Sequence, residues 1–369
     1  MMSSYTNGFI AEASENREPR KRKILVTGGA GFIGCHTAKA LLDRGDDVVI
    51  VDEVNDYYDP RFKYANLHWL QSAFTPERVK VYVRDLCDSE FLDAVFTKEK
   101  PDLVCHLAAR AGVRPSIDRP ELYVHSNILA TTYVFEMCRR HNIKHCVWAS
   151  SSSIYGGIDA PIFTETLRTD QPVSPYAATK RACELMSYTY YHLYKFNVTG
   201  LRFFTVYGPR GRPDMAPFKF LDRVYRGHTI DQFGDGSTSR DYTYVDDIVS
   251  GVVAALDRPN GYKIYNLGSS RPFLLSKFIQ IVEETVGKKA IINVLPPQPG
   301  DVDRTYADIT SSTQDLGYRP HTRFEDGLKA TFDWYLSEYV KITNSKDTSE
   351  TYPVVISNDS ITPIPRNVQ

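Results

Sequence analysis

Paired cysteines are missing from this chain. Its six cysteines (Cys35, Cys87, Cys105, Cys138, Cys146 and Cys183) form no C-x-x-C spacing, and several sit inside apolar runs such as Cys146-Val147-Trp148. This argues against a disulfide scaffold or a cysteine metal site and reads as buried thiols in a reducing, cytoplasmic setting. An excess of one charge is also missing: 44 basic residues face 45 acidic ones, for a formal net charge of -1. Neither nucleic acid nor an anionic membrane would find an electrostatic footprint here, although Arg20-Lys21-Arg22-Lys23 is locally basic. The first 22 residues are polar and hold neither an apolar secretion segment nor a membrane span. Internal repeats and heptads are absent as well. What remains, at 369 residues and 42% hydrophobic, is a chain large enough to bury a core without staples, whose partners are small molecules or proteins.

Short β-branched runs do occur, at 23–27, 47–52, 79–83, 102–107 and 144–149, alternating with segments such as Phe32 to Arg44 and Asn127 to His141 whose apolar residues recur every three or four positions. Strands without polar alternation suit a sheet covered on both faces, and the alternation with helices predicts an α/β, Rossmann-type doubly wound parallel sheet. After Gly208 the pattern loosens into Pro- and Gly-rich stretches, which predicts a smaller C-terminal lobe. The expected division is a polar tail over 1–22, a nucleotide-binding domain over 23–207, a substrate lobe over 208–340 with some segments returning to the first domain, and a mobile tail over 341–369.

Thr27-Gly28-Gly29-Ala30-Gly31-Phe32-Ile33-Gly34 follows the first strand and opens the first helix. In that context Gly28, Gly31 and Gly34 permit a tight turn, approach of a pyrophosphate, and close helix packing, with helix N–H groups left for the phosphates. Asp52 ends the second strand 18 residues later, placed to accept hydrogen bonds from a ribose. With Glu53 beside it and no basic residue before Arg61, NAD is favoured over NADP. Asp85-Leu86, closing the third strand, belongs beside the adenine.

Tyr176 and Lys180 are four apart on a segment that can be helical from Pro175 to Phe196, so both share one face. A neighbouring ammonium and the positive nicotinamide ring would both favour phenolate, making Tyr176 a candidate general base. Among 24 tyrosines this spacing means little alone. It gains weight from Ser150-Ser151-Ser152-Ser153 at the carboxyl end of the fifth strand, where Ser151 or Ser152 could bond a reacting hydroxyl.

Together TGGAGFIG, LAARAGVR (Leu107 to Arg114), SSSSIYG (Ser150 to Gly156), YAATK (Tyr176 to Lys180) and SRDYTYVDDI (Ser239 to Ile248) resemble the extended short-chain dehydrogenase/reductase family, specifically its nucleotide-sugar 4-epimerases. The resemblance spans about Lys23 to Tyr339. It implies NAD as cofactor, a UDP-sugar as substrate, no metal, and catalysis by Ser151, Tyr176 and Lys180. It adds Phe32, Ile33, Asn55, Leu107, Ala108, Ala109 and Asn127 around the cofactor, and Ser151, Ser152, Ser153, Thr205, Arg212, Arg240 and Asp301 around the substrate. Family members that eliminate or decarboxylate carry acids just after the catalytic hydroxyl; here those positions are Ser152 and Ser153, which leaves epimerisation. Asn55-Asp56-Tyr57-Tyr58-Asp59-Pro60 and Gly208 to Met215 look like the UDP-glucuronate branch, with Arg212 set to pair with a carboxylate. A UDP-glucose/UDP-galactose epimerase and a UDP-glucuronate decarboxylase are the alternatives. Arg110 and Gln298 depart from the patterns of related enzymes, which commonly carry glutamine and arginine there. Related enzymes also pair through two long helices, so a homodimer through Asn127 to His141 and Tyr176 to Phe196 is expected.

Overall fold

The computed structural model describes residues 21–297, 302–345 and 351–361. Seven parallel strands form its main sheet: β1 (Lys23–Thr27), β2 (Asp47–Asp52), β3 (Val79–Val83), β4 (Leu103–His106), β5 (His145–Ser151), β6 (Asn197–Phe203) and β10 (Tyr262–Leu267), in the order β10-β6-β5-β4-β1-β2-β3. Ile24, Leu25 and Val26 of β1 are wholly buried, because helices cover both faces. The chain reverses direction along the sheet between β1 and β4, and a crevice opens there beyond the carboxyl ends of the strands. Helices α1 (Phe32–Asp43), α2 (Pro60–Ala73), α3 (Ser89–Glu99), the short α4 (Val113–Asp118) and α5 (Pro120–Tyr123), α6 (Ala130–Arg140) and α7 (Pro175–Tyr194) connect these strands. Local chemistry starts three of them: Asp59, Asp88 and Ser174 each cap a first-turn N–H, with Pro60 and Pro175 at first helical positions. The helix expected from Asn127 instead runs through a π-helical turn, Val124–Leu129, before α6.

The second lobe carries β7 (Thr205–Tyr207), β8 (Thr229–Phe233), β9 (Ser239–Tyr244), β11 (Pro272–Leu274) and β12 (Ile291–Leu295), paired as β11-β9-β7 and β12-β8. With them come α8 (Ala216–Arg226), α9 (Val245–Asp257), α10 (Leu275–Val286), α11 (Thr310–Leu316), α12 (Phe324–Trp334) and α13 (Val340–Asn344). Its core is aromatic: Phe220 stacks on Phe278 at 5.2 Å, and Tyr242, Phe278 and Phe324 contact one another. The chain after Gly208 also returns to the main sheet, as β10 on its edge and α9 against α1.

The tail corrects the expectation of mobility for part of its length. Pro353 and Val355 bond His68 and Gln71 of α2, and the chain then meets the free edge of β3, where Ser357 N donates to Val81 O (2.7 Å) and Asn358 bonds both N and O of Val83 (2.9 and 2.8 Å). Tyr352 packs near Phe62 and Ile342, and Ile361 against the core beneath the sheet. A polar segment without periodicity gains fixed structure by satisfying an exposed strand edge.

Candidate active site

The crevice is a cleft of about 460 Å³. Its floor is the glycine loop. Gly28 has φ +72°, and a side chain there would run into the Ala108 backbone at 2.6 Å; one on Gly34 would strike the Gly28 carbonyl. The loop can therefore lie flat against the β4 exit only with glycine at both places. Gly31 precedes α1 without any side-chain cap, so the first N–H groups of that helix face the cleft uncapped. Asp52 is buried; its carboxylate accepts from Ala30 N (3.1 Å) and Val54 N (2.9 Å). Burial raises its pKa, opposed by the Lys63 charge and those N–H bonds. Two carboxylate oxygens with lone pairs to spare beside an uncapped helix start are the donor and acceptor set a dinucleotide needs.

Phe32, Ile33, Asn55, Asp85, Leu86, Leu107, Ala108 and Ala109 also line the cleft. Asn127, expected at the cofactor, does not line it. It is wholly buried, and its amide is spent on Arg110 N (2.8 Å), Arg110 O (3.0 Å) and the Thr179 hydroxyl (3.0 Å). It supports the cleft wall from behind.

At the reacting end stand Tyr176 and Lys180, one turn apart on α7 and both buried. Lys180 Nζ donates to Ala149 O at 2.7 Å, and burial lowers its pKa to about 8. Burial raises the Tyr176 pKa, while a Ser151 hydrogen bond and the Arg212 charge pull it down. In the protein by itself desolvation of the phenol outweighs these effects; the sequence reading counts on the positive nicotinamide ring as well as the ammonium to favour phenolate.

The four serines divide. Ser150 lines the cleft as well, but its hydroxyl is spent on buried Glu184 (2.8 Å). Ser151 caps the turn Ser152–Tyr155, accepting from Ser153 N at 3.2 Å, and lines the cleft with Ser152 and Ser153. Behind Ser150 lies a network that sequence reading missed: Glu184 holds Arg202 through both oxygens (2.8 and 2.9 Å), Arg202 bonds the Tyr155 hydroxyl (2.8 Å), and Tyr155 donates to Asn266 (2.7 Å). A signal for it existed, since Tyr176, Lys180 and Glu184 recur every four residues along one helix.

Thr205, Arg212 and Arg240 complete the cleft. Arg240 Nη1 bonds the carbonyls of Ser239 (2.9 Å) and Asp303 (3.3 Å), while the adjacent Asp241 is buried on backbone N–H groups of Ser269, Ser270 and Ala307. Asp301 and Gln298 lie outside the described residues. Five cysteines are buried and Cys87 half-buried, and no disulfide forms among the described residues. No helix among them is long and apolar enough to cross a membrane.

Known proteins are similar to this chain over most of its length. The chain is 45% identical over 311 residues to the UDP-glucuronate 4-epimerase of Thermodesulfobacterium geofontis, covering 84% of this chain and 95% of that one. The crystal structure of UDP-glucuronic acid 4-epimerase from Bacillus cereus, with UDP-glucuronic acid and NAD, is 34% identical with a TM-score of 0.80, over 85% of this chain and 99% of that one. The UDP-glucose 4-epimerase of Thermotoga maritima with UDP-glucose is 29% identical with a TM-score of 0.79, over 86% and 99%. Residues 24–268 match the model of the NAD dependent epimerase/dehydratase family. With its glycine loop, acidic strand end and Tyr/Lys pair facing one cleft, the chain belongs to that NAD-dependent epimerase family.

Proposed function

We propose that this enzyme inverts C4 of UDP-glucuronate to give UDP-galacturonate through a 4-keto intermediate. The observation that carries it is the meeting of Ser151, Tyr176 and Lys180 with the cations Arg110 and Arg212 in one cleft, without an acid at Ser152 or Ser153. Similarity to enzymes named for UDP-glucuronate supports the sugar.

In this reading Gly28, Gly31 and Gly34 seat the NAD pyrophosphate and Asp52 the adenosine ribose, with Asp85 and Leu86 beside the adenine. Bound NAD supplies the hydride acceptor at C4 and a positive ring that favours phenolate. Tyr176 takes the C4 hydroxyl proton, relayed through Ser151, and later returns one. Lys180, fixed by Ala149 O, holds its charge next to the phenol and reaches the ribose. Ser152 and Ser153 offer hydroxyls rather than an acid, so the ketone persists until hydride returns to its other face. Arg240 contacts the UDP diphosphate. We also propose that the enzyme is a homodimer, because Leu185, Tyr188, Leu193 and Tyr194 of α7 and Val124 and Leu129 beside it are exposed.

Incubating the protein with UDP-glucuronate and, separately, UDP-glucose, and reading C4 configuration by proton NMR, tests the reaction. UDP-galacturonate from the acid is the expected result. A pentose product, or conversion of UDP-glucose alone, would overturn the assignment.

A further inference from the structure

Helix α7 meets the end of β5 at consecutive positions. Lys180 Nζ donates to Ala149 O at 2.7 Å, and one turn further along the helix Glu184 accepts from the Ser150 hydroxyl at 2.8 Å. The next residue of the strand is Ser151, whose hydroxyl bonds the phenol of Tyr176, one turn before Lys180. Residues recurring every four positions on one helix face are thus matched to three successive residues of the strand.

Glu184 is built as a fixed point. It is 1% exposed, and Ser150 and Arg202 are 3% exposed. Arg202 stands opposite Ser150 in the β5–β6 register, and its guanidinium takes both Glu184 oxygens at 2.8 and 2.9 Å, while Arg181 bonds one of them at 3.2 Å. A carboxylate one turn from Lys180 could compete with Ala149 O for the ammonium; two guanidiniums neutralise it and leave Lys180 on the strand. The network continues into β10: Arg202 bonds the Tyr155 hydroxyl, Tyr155 donates to Asn266, and the Asn266 amide bonds Phe163 O (2.8 Å) and Asp308 O (3.1 Å). Glu184 is therefore anchored in β6 and β10 before it reaches β5. An ion pair serving stability alone would need only Arg202. The Ser150 hydroxyl adds a bond one residue before Ser151, where a small shift of the strand end would move the hydroxyl that faces Tyr176.

We infer that Glu184 is a positioning residue for the epimerisation: by holding the Ser150 hydroxyl it fixes the carboxyl end of β5, so that Ser151 is presented to Tyr176 and to the C4 hydroxyl of the sugar. The inference rests on the proposed role of Ser151. Glu184 does not line the cleft and acts only through Ser150 and Ser151. Losing this hold should cost about tenfold in kcat, since misplacing a reacting group by a fraction of an ångström slows the chemical step more than it weakens binding.

The test measures steady-state kinetics with UDP-glucuronate and the unfolding temperature for wild type, Ser150→Ala, Ser151→Ala, the double variant of the two serines, and Glu184→Gln. Ser150→Ala should lower kcat about tenfold with KM changed less than about twofold. In the Ser151→Ala background the same substitution should lower kcat no further, because it acts through that hydroxyl. Glu184→Gln keeps an acceptor for Ser150 but removes the charge facing Arg202, so it should lower the unfolding temperature more than Ser150→Ala does while keeping more of kcat. Unchanged kcat in Ser150→Ala, an effect on KM alone, or the same kcat loss with and without Ser151 overturns the inference and leaves Glu184 as a stabilising ion pair. If Glu184→Gln does not fold, the serine variants decide. Wild-type kcat in Ser151→Ala would overturn the proposed role of Ser151 instead, whatever Ser150 does.

Discussion

A single buried charge shows how this site trades stability for chemistry. Lys180 has its pKa lowered to about 8 because its ammonium is desolvated. The folded state therefore binds the lysine proton less tightly than the unfolded chain, whose lysine titrates near 10.4. The penalty is fully present below about pH 8 and is relieved as pH rises from there towards 10.4. Lys180→Met should thus raise the unfolding temperature at pH 7 by about 2 °C, seen by calorimetry. The same variant should lose about a hundredfold or more in kcat, and its rising pH limb should move upward, because Tyr176 loses the charge that favours phenolate. Arg212 poses a different question, since it is already paired with Asp214. Arg212→Ala should raise KM for UDP-glucuronate about tenfold, and adding Asp214→Ala should recover most of that loss. No recovery would mean that Arg212 itself makes the contact.

Elements carry the next tier. The junction of β1 and α1 tolerates no side chain at Gly34, because the added carbon would enter the Gly28 carbonyl. Gly34→Ala should reduce NAD affinity at least about tenfold in a titration, through displacement of the turn that presents the helix N–H groups. At the opposite sheet edge, Asn358 uses its side-chain amide as a strand would use its backbone, bonding both polar groups of Val83. Asn358→Ala should cost about 1–2 kcal/mol in denaturant unfolding. Ending the chain after Ser345 should do more, lowering the unfolding temperature and increasing light scattering as the β3 edge is uncovered. Because β3 leads into Asp85 and Leu86, that truncation should also weaken NAD binding.

For the whole molecule, exposed apolar residues lie on α7, the same helix that carries Tyr176 and Lys180. In the proposed reading one helix would serve both catalysis and assembly. Light scattering coupled to size exclusion should give twice the chain mass of 41.9 kDa, and Leu185→Glu with Leu193→Glu should give monomers. A monomeric wild type would assign those residues to solvent alone.

What the sequence determined by itself is whatever depends on short range. Strand runs, the glycine loop, the Asp52 strand end and the Tyr176/Lys180 spacing follow from periodicity and turn chemistry within a few residues, and they lie where those rules put them. Tertiary structure decided what depends on partners far apart in the chain. Asn127 went behind the cleft because Arg110 and Thr179 meet it there; the Ser150 hydroxyl was taken up by Glu184, which also holds Arg202; Asn358 came to bond β3, about 275 positions earlier. Local rules fix which backbone forms, but a polar group's role is set by which opposite groups the fold delivers to it, and in the low dielectric of a cleft an unmet charge weighs as much as a met one.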